Sequence, residues 1–371
     1  MFDFISTTQY AHCFDVAILI LVLFAFFLCQ RGIILNREVV NINAAWGFVL
    51  AVLIILYIGL RPISANFGDT MNYAQGFNNL SNTPFKWTWT GDFLFYNMMQ
   101  WFSKFTTVHG FFLFCAFLYV GPLWLAMRRL FSSYYFIPFL VILCMFSFWQ
   151  YGVNGIRNGI ASSFFILALS YINRLPVAVL LCLIAIGFHK SMGIIIAAAA
   201  LTWFVDNSYI YLFLWLISIP ISYLFGNRIQ VYLATFSFLG EGDERLSQYM
   251  LYSEQDMISE GAFVDMSFHW DYILYSLMAV SVGYYFIFRR NFKEEYYSWL
   301  YNTFLIANAF WILIIRAAYS NRFAQISWFI MPIVLIYPFM KKRFWINHEK
   351  MLGYALLAFY AFAFYYNIVK G

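Results

Sequence analysis

In the run Tyr151–Ala161, YGVNGIRNGIA, an arginine stands between two asparagines and among three glycines, with apolar sequence on both sides. Gly152, Gly155 and Gly159 let backbone or ligand come close, while Asn154, Arg157 and Asn158 supply hydrogen-bonding groups. Arg157 lies where the next apolar run begins, so its guanidinium adds to the free N–H groups of a helix N-terminus. That combination favours an anion such as a phosphate. A turn carrying one snorkelling arginine is the plainer alternative.

Further along, IGFHKSMG sets His189, Lys190 and Ser191 between two short apolar runs. An imidazole exchanges a proton near neutral pH, or else it packs or caps. Lys190 suits a phosphate or anchors at lipid headgroups. In RAAYSNR, Arg316 and Arg322 flank a polar turn. In GDTMNY, Asp69, Asn72 and Tyr73 follow a glycine. Asp69 could serve as a general base or accept hydrogen bonds from sugar hydroxyls, and Gly68-Asp69 is equally a turn pair. Trp87 and Trp89 in FKWTWTGDF could stack on sugar faces or join an interfacial aromatic belt. Glu241, Asp243, Glu244 and Arg245 form a similar but weaker set.

These groups must be positioned by elements of an unusual composition. The 371 residues are 63% hydrophobic, 23% aromatic and 11% charged, whereas soluble domains are nearer half apolar and a quarter charged. So much apolar surface cannot be hidden from water in a fold of this size, but it can face lipid. Apolar runs fall at about 14–30, 44–60, 108–127, 134–149, 159–173, 176–188, 192–205, 209–225, 270–288, 298–315, 323–340 and 351–369. A spanning helix needs roughly 20 residues, so about twelve helices consume most of the chain and leave no room for a separate soluble domain. The expected fold is therefore all-α, one polytopic transmembrane domain over residues 1–371. The runs do not alternate as barrel strands would, and backbone inside a bilayer must bond within its own segment. Residues 93–105 are apolar but too short to span, which suits an interfacial or re-entrant helix.

Lysine and arginine bias orients the chain. With the loop after the first run placed inside, Arg31, Arg37, Arg128, Arg129, Arg174, Arg289, Arg290, Lys293, Lys341, Lys342, Arg343 and Lys350 all fall inside. Only Glu38, Asp206, Glu294, Glu295 and Glu349 oppose them there. Both termini then lie outside, together with two long loops at 61–107 and 226–269. Long loops beside terse connections usually bind or catalyse. Asp69, Arg157, His189 and Arg322 share that outer rim, where charge near membrane depth is a functional-site signal. The net charge of +5 is spread through short loops, which does not indicate a nucleic-acid partner. Cys13, Cys29, Cys115, Cys144 and Cys182 lie in or beside apolar runs without a CxxC pair, indicating neither a metal site nor a disulfide framework. The N-terminus lacks a basic leader and cleavage site, so the first run is expected to be a retained helix. No internal repeat supports an inverted-repeat transporter.

The order GD…Y, N-x-x-R-N-G-I-A, F-H-K-S and N-R resembles the EpsG-like branch of bacterial polysaccharide polymerases, the Wzy-type enzymes. The likeness spans most of the chain, with the Arg157–His189 pair its most specific part. Two departures stand out: Asn158 follows the arginine where that family usually has glutamine, and Lys190 intervenes before Ser191. The resemblance implies a multi-pass protein of the bacterial cytoplasmic membrane with its active site facing outward. Its substrate would be an oligosaccharide repeat unit on undecaprenyl diphosphate, and a growing chain would pass from its lipid diphosphate to a new unit. No metal and no cofactor is expected; membrane lipid and a chain-length regulator are the expected partners. In such a reaction Arg157 and Arg322, with Arg316, Lys190, Asn154, Asn158, Tyr73 and Arg245, would meet substrate and diphosphate. His189 would be the base, with Asp69 second. A lipid-linked oligosaccharide flippase, a membrane acyltransferase and a single-sugar glycosyltransferase are the rival readings.

Overall fold

The computed structural model describes residues 5–234, 267–318 and 320–370, and every regular element among them is helical. Among the described residues, six stretches are long and apolar enough to cross a bilayer: Tyr10–Gln30, Arg37–Gly59, Val108–Leu143, Ser208–Tyr232, Trp270–Arg289 and Asn321–Lys341. Shorter apolar helices lie at Ile156–Ser170, Leu175–Phe188 and Met192–Phe204. The chain is a polytopic all-α membrane protein, as its composition requires.

The described chain divides into two compact units, Met1–Met192 with Phe339–Gly371, and Gly193–Pro338. In the first, the packed apolar helices include α1 (Tyr10–Gln30), α2 (Arg37–Gly59), α5 (Val108–Phe131), the shorter α8 (Ile156–Ser170) and α9 (Leu175–Phe188), and α16 (His348–Lys370). α8 packs on both α5 and α9, α5 also on α2, and α1 on α16. Tyr10 and Tyr57 join α1 to α2 by stacking at 4.3 Å, with each hydroxyl donating to the other's carbonyl oxygen. Those carbonyls gain donors that a lipid environment cannot provide.

The connection expected as an outer loop at 61–107 contains two helices, α3 (Thr70–Ser81) and α4 (Phe93–Phe102). At 10 residues α4 is too short to span. The apolar run 134–149 is not one helix. It forms α6 (Phe136–Leu143) and α7 (Phe148–Val153), with the helix interrupted between them. Arg61 explains how this region holds together. It is 1% exposed, and its guanidinium donates to Ile58 O, Thr70 Oγ1 and Val153 O and lies over the Phe112 ring. Carbonyls near the C-terminal ends of α2 and α7 carry partial negative charge, so one cation draws both ends onto the start of α3. Burial lowers the Arg61 pKa to about 10, which still leaves it protonated.

In the second unit, α11 (Ser208–Ala234) packs along α13 (Glu295–Leu313), with α12 (Trp270–Tyr284) and α14 (Asn321–Trp328) also against α13. Asn308 is fully buried at the centre. Its Oδ1 accepts from Trp215 Nε1, and its Nδ2 donates to Ser276 Oγ and Ser327 Oγ. Trp328 Nε1 also donates to Ser276 Oγ. One satisfied polar network thus links four helices. The expected second loop begins late, because α11 runs on to Ala234; residues 235–266 lie outside the described residues.

α4 reaches the end of α9 at Gly187, where an added Cβ would overlap the side chains of Leu94 and Phe93. Gly187→Val should push α4 outward and cost roughly 1–3 kcal/mol, as overpacking does. A lower melting temperature of the detergent-solubilised protein would register it, and an unchanged melting temperature would show that this contact is not tight.

Candidate functional site

Three chain segments deliver one charge cluster, all within the first unit. Asp92 directly precedes α4. Its carbonyl oxygen accepts from the N–H groups of Phe95 and Tyr96, while its side chain makes no capping bond. The carboxylate turns instead towards α8 and α9. Oδ2 accepts from Arg157 Nη1 at 2.6 Å, the Nδ1 of His189 lies 3.2 and 3.1 Å from Oδ1 and Oδ2, and the backbone N–H of Lys190 donates to Oδ1 at 3.2 Å. The Asp92 side chain is 4% exposed, against 19% for Arg157 and 22% for His189. The acid is therefore buried beneath two groups that remain partly open.

Burial alone would raise the Asp92 carboxyl. The bond and charge of His189, the Arg157 guanidinium and the Lys190 N–H outweigh it and hold the carboxyl below its usual value. A carboxylate at Nδ1 fixes the neutral imidazole with its proton on that nitrogen. The lone pair then sits on Nε2, which no described residue engages.

Arg157 occupies the first turn of α8, and the two tyrosines beside it come from α3 and α4. Its Nε donates to the Tyr73 hydroxyl at 3.2 Å and its Nη1 to the Tyr96 hydroxyl at 3.0 Å, with the Tyr96 ring 5.5 Å from the guanidinium carbon. Burial raises the pKa of Tyr73 even though Arg157 pulls it down, so the phenol stays protonated. No described residue bonds Nη2, so the guanidinium keeps one edge for an outside acceptor. Tyr73 is placed by the Arg61 clasp: Thr70, one turn earlier on α3, donates to Val153 O at 2.8 Å. The approach there is tight. Gly68 has φ +57, and a Cβ on it would overlap the Asn154 amide.

Of the residues selected from sequence, Arg157, His189, Tyr73 and the backbone of Lys190 come together. Asn154 supports them at one remove, its Oδ1 accepting the Asp69 N–H at 2.9 Å. The Asp69 carboxylate accepts from Asn72 Nδ2 at 3.2 Å and makes no bond to Arg157 or His189. Asn158 is buried and donates to the Tyr151 hydroxyl. Arg316 and Arg322 belong to the second unit. There the Arg316 guanidinium packs against the rings of Tyr223 and Phe268, and Arg322 is exposed near the start of α14. Arg245 and the acids Glu241, Asp243 and Glu244 lie outside the described residues. Among the described residues no three His, Cys, Asp or Glu side chains converge on a point that could hold a metal ion.

Sequence reasoning missed Asp92 as a site residue and missed Arg61 altogether. The signal for Asp92 was present. It is the second Gly-Asp pair in the same connection as Gly68-Asp69, and it precedes an apolar segment that lacks the length to span.

Because the folded Asp92 carboxyl is held below the ordinary 3.8, its ionised form contributes stability above pH 3.8. That contribution fades as pH falls through the lower folded value. Asp92→Asn should cost about 2 kcal/mol near neutrality, as loss of bonds to a charged group does, and should flatten the melting-temperature profile below pH 4. Thermal scans of wild type and variant between pH 6 and 3 check this, and parallel profiles would contradict it.

No curated protein and no solved structure matches the chain. A family model, that of the EpsG family, matches residues 44–371 and so covers Asp92, Arg157 and His189. The chain belongs to the EpsG family, which is associated with Wzy-type polysaccharide polymerases, and is a membrane protein of polysaccharide biosynthesis.

Proposed function

We propose that this protein is a polymerase that joins oligosaccharide repeat units carried on a polyprenyl diphosphate, at the outer face of a bacterial cytoplasmic membrane. One observation carries the reading: His189, oriented by Asp92, and Arg157, anchored by the same carboxylate, each keep one nitrogen that no described residue engages. A base and an anion-binding donor side by side match what glycosyl transfer from a diphosphate requires.

In this reaction the acceptor hydroxyl gives its proton to His189 Nε2 as its oxygen bonds to the anomeric carbon of the donor. The bond from that carbon to the diphosphate oxygen breaks, and its electron pair leaves with the lipid diphosphate. Asp92 stabilises the imidazolium that forms, as an acid behind a catalytic histidine does. Arg157 Nη2 donates to the leaving oxygen, where charge develops, and Tyr73 and Tyr96 hold the guanidinium in place. The imidazolium then returns its proton to the diphosphate or to solvent. The lysine and arginine bias supports an outward site, since it puts the segments bearing Asp92, Arg157 and His189 opposite the basic loops. Arg316 and Arg322 remain candidates for further contact with the substrate.

His189→Gln should lower turnover of lipid-linked repeat units about 10²- to 10⁴-fold, the usual contribution of a positioned base. Arg157→Lys should also fail, because an ammonium cannot bond Tyr73, Asp92 and substrate from one planar fork. In cells both variants should leave single capped repeats in place of the polymer ladder while still inserting into the membrane. A normal ladder from either variant would refute its assigned role.

A further inference from the structure

Beside the charge cluster, the segment before Asp92 exposes large aromatic surface on a rigid support. Trp89 is 72% exposed and Trp87 44% exposed. Their ring centroids lie 5.3 Å apart at 66°, and Trp89 lies 5.2 Å from Phe93, the first residue of α4. Exposed tryptophans in close array forgo burial, and such patches mark interaction sites.

The backbone carrying these rings is clamped. Asn97, 3% exposed, donates to Thr88 O at 2.7 Å and Phe93 O at 2.8 Å and accepts the Thr88 N–H at 3.0 Å. Gln100, one turn on and 8% exposed, donates to Pro84 O at 3.0 Å and accepts the Lys86 N–H at 3.3 Å. Two buried carboxamides on one side of α4 thus grip residues 84, 86 and 88. At the far end Lys104 Nζ caps the carbonyls of Leu80, Ser81 and Thr83. A ring that only rests among lipid headgroups gains little from a fixed backbone. A ring that stacks on a ligand face gains affinity when its orientation is set beforehand.

We propose that Trp87 and Trp89 form a stacking subsite for a pyranose ring of the glycan, next to the Asp92–His189–Arg157 cluster. This rests on the reading that the substrate is a glycan. The apolar C–H face of a pyranose matches an indole face, and its hydroxyls remain free for water and for polar groups such as Thr88. Asp92 and Phe93 continue the same backbone into the cluster, so a ring held by Trp89 belongs to a glycan whose next residues reach the reacting groups. The subsite would hold the chain by sugar shape without touching the reacting bond.

The test separates binding from turnover. The lipid-free repeat-unit oligosaccharide, released from the producing cell's polymer by partial hydrolysis, is titrated against the full-length protein in nanodiscs, with binding followed by saturation-transfer NMR. Trp89→Ala should weaken binding about tenfold, and Trp87→Ala should weaken it too. Trp89→Phe, which keeps a flat face, should stay within about threefold of wild type. Trp46→Ala, on an exposed face of α2, should change nothing. Unchanged binding in both alanine variants would overturn the proposal, and bromolipid quenching of tryptophan emission that falls in Trp89→Ala would assign the ring to a headgroup belt. No binding by the wild type would overturn it too. If the oligosaccharide binds as proposed but lipid-linked units are not polymerised, the polymerase reading fails while the subsite stands.

Discussion

A carboxylate taken out of water must find donors, and Asp92 finds them on two other segments of the chain. A buried charge is costly unless it is paired and its lone pairs are filled. Here a guanidinium, an imidazole and a backbone N–H fill them at 2.6–3.2 Å. That requirement pins the start of α4 to the first turn of α8 and to the end of α9. Through Arg157 it also fixes the Tyr73 hydroxyl of α3. The rest of the site follows from this one electrostatic constraint. It sets the tautomer of His189, the direction of the guanidinium and the meeting of α4 with the consecutive helices α8 and α9.

A second buried charge in the same unit is Arg61. Arg61 is held by a hydroxyl, two carbonyl oxygens and one ring face, so it keeps its positive charge while filling helix ends that lipid could not satisfy. Its role is to position: it sets the beginning of α3, and α3 sets Tyr73. The two charges divide the work: Arg61 ties the helix ends together, and Asp92 gathers Arg157 and His189. Membership in the EpsG family places the protein in polysaccharide biosynthesis. On the proposed reading, the nitrogens of His189 and Arg157 that no described residue engages would meet a hydroxyl to deprotonate and an oxyanion to receive.

Much of this was legible in sequence, for physical reasons. Arg157 and His189 stood out as a charge and an imidazole at the edges of apolar helices on one rim, although a snorkelling or packing role was the plainer reading of each alone. The all-α membrane fold followed from composition, since backbone in lipid has few options. Asp92 was hidden because its partners lie 65 and 97 residues away, and locally it looks like any acid after a glycine at a helix start. Asp69 has that same local appearance, yet its carboxylate bonds Asn72. Turn chemistry could not separate the two; the packing of α4 on α9 does. The break between α6 and α7 was equally hidden, because residues 144–147 read CMFS, with no proline or glycine to mark an interruption. Arg61 drew no notice in the sequence, because its burial depends on helix ends that come together only in the fold.

On the proposed mechanism Asp92 acts through His189. A double-mutant cycle on kcat/KM with lipid-linked repeat units tests it most directly, using Asp92→Asn, His189→Gln and the pair. Residues working as one unit are strongly non-additive. Asp92→Asn should add almost nothing once His189 is gone. Losses that multiply across the two sites, in protein that is folded and inserted, would contradict it.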